Sequence, residues 1–136
     1  MFPPPPPWKQ IGDIDPEREY LGFTSRFFLK SVRTLPAFFA QSQRIRKQAS
    51  AAPGVVGWSL AADLPKLEFS TLSAWEDEGS LRDFIAAAPH HDAFSRFAGS
   101  MRQKSLFVYF PVLGRDLPLK WKDAIALQDD RGSSPD

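Results

Sequence analysis

The chain has 136 residues, 17 Lys and Arg against 16 Asp and Glu, and no cysteine. That length suits one domain with a modest core, and the missing cysteine excludes a disulfide framework, a thiolate metal site and a cysteine nucleophile. A net charge of +1 leaves no electrostatic footprint for nucleic acid, and no apolar run is long enough for a membrane span.

Residues 1–19 open with Met1-Phe2 and five prolines, Pro3 to Pro7. Such a run favours a polyproline II rod without internal hydrogen bonds. It reads as a stiff arm, or as a Pro-rich ligand anchored by Trp8. No basic region leads into an apolar core here, so no secretory leader is expected and the expected location is the cytoplasm.

Tyr20 to Lys30 alternates as a strand, with Leu21, Phe23, Ser25, Phe27 and Leu29 on the more apolar side, toward helices. Arg26 falls on the other side, at solvent or a subunit contact. Thr34-Leu35-Pro36 starts a helix, with Thr34 as N-cap, and Phe38, Ser42, Ile45 and Ala49 form its inner stripe. Arg44, Ile45, Arg46 and Lys47 read either as an anion patch or as a solvated face. Pro53-Gly54 ends the helix. Val55 to Ala62 and Leu67 to Trp75 are two strands joined by a hairpin.

Glu76, Asp77 and Glu78 then complement a helix start, and Leu81, Phe84, Ile85 and Ala88 follow at helical spacing. This helix runs from 79 to about 101, bent or broken at Pro89. Lys104 to Val112 is a fourth strand, and Leu113 to Ala126 an extended tail carrying Pro118 and Trp121. The domain therefore spans 20–126, and residues 127–136 are expected to be disordered.

The order strand, helix, strand, strand, helix, strand is the split βαβ arrangement of a ferredoxin-like α+β fold, with a four-stranded antiparallel sheet. Two helices on one face leave the other bare. Exposing it costs about 25 cal/mol per Å² of apolar area, so pairing with a second copy predicts a homodimer.

Several runs carry a family resemblance: Pro53-Gly54 leading into Val55-Val56-Gly57-Trp58-Ser59-Leu60; Thr71-Leu72-Ser73-Ala74-Trp75-Glu76-Asp77 with Leu81 and Phe84; His91 before Phe94; and Leu117-Pro118-Leu119-Lys120-Trp121. On these the chain resembles the dimeric α/β-barrel superfamily over residues 20–124. Within it the chain is most similar to antibiotic-biosynthesis-monooxygenase-like proteins and a related group of domains of unknown function near spheroidene monooxygenase. The resemblance implies a dimer with a pocket in each subunit between the sheet and its own helices. Some members oxygenate polycyclic aromatic substrates with dioxygen and no cofactor, others bind heme, and some of those degrade it. Phe84 stands where the heme-degrading members resemble one another in having tryptophan.

His91 is the candidate catalytic residue, as an acid–base group near neutral pH or an axial ligand to heme. The competing reading has His90 or His91 capping the helix broken at Pro89. Neighbouring helix residues lie about 100° apart, so at most one of the two faces a pocket, and His91 is nearer the stripe of Phe94 and Phe97. The candidate substrate-binding residues are Trp75, Phe84, Phe94, Phe97, Tyr109 and Ser42, for which packing in the core is the alternative. The expected activity is a small monooxygenase-like oxidoreductase acting on an apolar aromatic or polyene molecule, with no cofactor or with heme. The alternatives are a non-catalytic heme or hydrophobic-ligand binding protein, and a structural dimer whose Pro-rich arm recruits a partner.

Overall fold

The computed structural model describes residues 7–87 and 96–133, with backbone alone at 131–133. Five strands, β1 (Lys9–Gln10), β2 (Glu19–Phe28), β3 (Val55–Asp63), β4 (Glu68–Trp75) and β5 (Leu106–Leu113), form one antiparallel sheet. Their order is β1-β3-β4-β2-β5. The helices are α1 (Leu35–Ala51), α2 (Glu78–Ala86) and α3 (Trp121–Ser133). Without the short β1, the strand order and the helices between strands are those of the ferredoxin-like α+β fold.

Local signals set the boundaries. Ser31, rather than Thr34, supplies the first cap: its hydroxyl accepts from Arg33 N in a 3₁₀ turn that runs into α1, and Thr34 makes no side-chain cap bond. Gly54 takes φ +83°, the left-handed conformation that side chains resist, and turns α1 into β3. Asp77 caps α2, its carboxylate accepting from Ser80 N at 2.8 Å. That backbone bond, then the Ser80 side chain, hold the Asp77 carboxyl below its usual range. A lowered folded pKa means that the cap contributes above the ordinary value near 3.8 and is lost as pH falls through the folded value.

The two sheet faces have different covers. Leu21, Phe23, Trp75 and Phe107 turn toward α1 and α2, packing with Ile45, Ala49, Val55, Leu81 and Phe84. The opposite face, which the sequence reading leaves bare, is covered by the chain itself. Trp8 packs with Tyr20, Val56 and Ala74, and its indole lies where a Cβ on Gly57 would stand 2.5 Å away. Trp121 and Ala124 of α3 pack on Leu72. Trp121 Nε1 donates to Ser59 Oγ at 3.0 Å, and Gln128 Nε2 donates to Thr24 Oγ1 at 2.8 Å. Arg26 faces this side and bonds Glu68 on β4 and Asp129 on α3.

Two expectations are corrected here. Residues 127–133 belong to α3 rather than to a tail, and Gln128 is only 1% exposed; residues 134–136 lie outside the described residues. The bare face that motivated a dimer is also absent. With α3 in place, a homodimer would have to use another surface or displace α3. The free edge is guarded as well. Gly114 N donates to Arg18 O at 2.8 Å, which fixes the phase of the β2–β5 ladder. In that phase Val108, Phe110 and Val112 turn their backbone groups to β2, and Phe107, Tyr109, Pro111 and Leu113 turn theirs outward. Pro111 thus removes a donor from the middle of the exposed edge.

The chain should accordingly run at its single-chain mass of 15.3 kDa in light scattering. Trp121→Ala should lower the unfolding free energy by about 3–5 kcal/mol in urea titrations and promote self-association through the uncovered face. A two-chain mass for the wild type would show pairing through another surface or displacement of α3.

Candidate functional site

A cavity of about 640 Å³ lies between α1 and the sheet. Its walls follow from strand alternation: Phe23, Ser25 and Phe27 on β2, Phe69 and Thr71 on β4, and Phe107 on β5 all project to the α1 side. Across from them α1 presents Phe38, Phe39, Gln41, Ser42 and Ile45. Phe97 and Met101 close one end. The rings hold one another in tilted and edge-on contacts, with Phe38 at 4.6 Å from Phe69 and 5.3 Å from Phe97.

Polar side chains are interspersed in the lining: Gln41, Ser42, Gln43, Ser70, Gln103 and Ser105 stand beside Ser25 and Thr71. Ser25, 1% exposed, hydrogen-bonds the Thr71 hydroxyl across β2 and β4. Gln41 is buried and accepts from Arg44. Arg46 and Lys104 are exposed at the margin. Among the described residues, no group of three His, Cys, Asp or Glu could hold a metal ion. His91, the axial ligand expected for heme, lies outside the described residues.

The sequence candidates separate. Ser42 and Phe97 line the cavity. Trp75 and Phe84 do not: their rings stack at 5.0 Å in the solid core, and Trp75 is 1% exposed with its indole N–H bonded to Ser73. Tyr109 contacts Phe23 at 4.9 Å but is 56% exposed, beside a smaller cleft with Glu76 and Asp77. His90, His91 and Phe94 lie outside the described residues. Sequence reasoning missed Phe23, Phe27, Phe69 and Phe107 as lining groups. The signal was present: each falls on the helix-facing parity of its strand.

The Ser25–Thr71 pair predicts a specific pattern of energies. Ser25→Ala or Thr71→Val alone should cost about 1–3 kcal/mol, because each strands the other hydroxyl away from water. The double variant should cost less than the two added, measured by urea unfolding in a double-mutant cycle; full additivity would deny the pair.

No protein-family model matches the chain, and no curated protein matches it by sequence. Solved structures do match. An antibiotic biosynthesis monooxygenase superposes with a TM-score of 0.60 at 15% identity, covering 66% of this chain and 95% of that one. SnoaB, a cofactor-independent oxygenase from Streptomyces nogalater, gives 0.57 at 17% identity, covering 74% and 98%. A conserved protein from Methanosarcina mazei gives 0.59 at 14% identity, covering 67% and 90%. In each case a quarter to a third of this chain is left over, about the share formed by the N-terminal arm and the segment after β5. The chain has the ferredoxin-like fold of antibiotic-biosynthesis-monooxygenase-like α/β-barrel proteins.

Proposed function

We propose that the cavity between α1 and the sheet takes an apolar aromatic or polyene small molecule, and that the chain is a small monooxygenase-like oxidoreductase acting on it. The observation that carries this reading is the phenylalanine-walled cavity of about 640 Å³, within the size range of small-molecule sites. It sits in a fold shared with a cofactor-independent oxygenase. Rings around the cavity would stack on a planar substrate. The Ser25–Thr71 hydroxyls and Gln41 would fix its orientation. Oxidising a ring-flanked methylene to a carbonyl with dioxygen releases one water and balances without an outside reductant. Such a reaction needs a base to take a proton from carbon, and His91 is the proposed group, standing six residues before the lining Phe97.

A second reading, a hydrophobic-ligand binding protein without turnover, is favoured by one observation. Among the described lining residues there is no histidine. Under either reading the described lining residues come from one chain. Among the described residues, no helix is long and apolar enough to cross a membrane.

Oxygen uptake separates the two. Purified protein with ring-flanked methylene compounds and conjugated polyenes should consume dioxygen, and a methylene substrate should gain one oxygen and lose two hydrogens. Ser42→Trp, which places an indole in the cavity, should lower this. His91→Ala should lower kcat about 10²–10⁴-fold if the histidine is the base. Ligand binding without oxygen uptake in the wild type would establish the second reading.

A further inference from the structure

Charge is distributed around the cavity in a way that the apolar walls do not require. The chain as a whole balances 17 cations against 16 acids. From Phe27 to Ala62, however, there is no Asp or Glu, while Lys30, Arg33, Arg44, Arg46 and Lys47 fall in that stretch. The stretch from Arg96 to Arg115 is likewise free of acids and carries Arg102 and Lys104. The first of these stretches supplies α1 and the second supplies Phe97, Met101 and Phe107. Lys30 N donates to Ser100 O at 3.0 Å, so the two stretches meet at one end of the cavity.

The lining repeats the asymmetry. Among the described residues it includes Arg46 and Lys104 and no carboxylate. Neither cation has an acid partner among the described residues, whereas Arg26 and Arg102 are both tied to Glu68. Arg46 is also held in place. It projects from α1 with its guanidinium 5.8 Å from the centre of the Trp58 ring, which steadies a cation at the margin of the cavity.

We infer that the ligand of this cavity is an anionic amphiphile: an apolar aromatic or polyene body that fills the phenylalanine chamber, with an ionised acid group at the basic margin near Arg46 and Lys104. The inference rests on the cavity reading above and adds the acid group to it. An uncharged isostere would gain the same apolar burial but leave the cations without a counter-charge. A carboxylate there is drawn in by a one-signed field. Because both cations are exposed, their attraction is moderate and screened by salt.

Parinaric acid, a conjugated-tetraene fatty acid whose emission rises in apolar surroundings, tests this against its methyl ester. The acid should bind about three- to tenfold more tightly than the ester, and the advantage should shrink as salt rises from about 0.05 to 0.5 M. The paired substitution Arg46→Gln with Lys104→Gln should bring the acid to the affinity of the ester and leave the ester unchanged. Lys122→Gln on α3, outside the cavity lining, should alter neither. Equal affinity of acid and ester, or an acid advantage that survives the paired substitution, would overturn the inference while leaving the cavity reading intact. Failure of both probes to bind would overturn both.

Discussion

The mismatch in length between β4 and α2 shapes this molecule. β4 is the central strand, paired on both sides, and its eight residues extend about 27 Å. α2 has nine residues, which make only about 14 Å of helix. It covers the Trp75 end of the strand, where Phe84 and Leu81 complete a solid core. At the Phe69 and Thr71 end the sheet faces α1 across a gap. Phenylalanines from three strands and α1 stand around that gap and brace one another without filling it. Among the described residues, α2 thus packs solidly at one end of the strand and the chamber lies at the other.

The other sheet face solves a different problem with different material. Its residues alternate between small and aromatic, and the small ones receive rings: Gly57 admits Trp8, and Gly22 admits Phe110. Thr24 and Ser59 are buried polar groups satisfied from α3, by Gln128 and Trp121. The chain supplies from its two ends the layer that an open sheet would otherwise take from a partner. Arg26 joins the layers, since Glu68 on β4 and Asp129 on α3 share its guanidinium. The chamber and the cover lie on opposite faces of the sheet.

What could be read from sequence divides along the same line. Strand parity in Leu21, Phe23, Ser25 and Phe27, the glycine stop at Gly54 and the acidic start of α2 were strong local signals, and the sheet follows from them. The cover was not legible. α3 buries Trp121, Ala124 and Gln128, a stripe with one large apolar residue among charged neighbours, and such a stripe looks like a polar tail until the sheet beneath it is known. The site was half legible. Ser42 and Phe97 lie on it, but Trp75 and Phe84 carry the same aromatic signal and serve the core. Sequence period separates inside from outside; it does not separate packed from hollow, because that depends on how far each helix reaches along the strand.

The central claim is that the chamber is open and apolar in the free protein. A crystal of the chain placed under xenon pressure tests it directly, because xenon enters preformed apolar cavities and is excluded from close-packed cores. Xenon bound among Phe38, Phe69 and Phe107, with the surrounding rings unmoved, is the result expected. Absence of xenon, with those rings collapsed onto α1, would contradict the account and leave a solid core where the chamber is described.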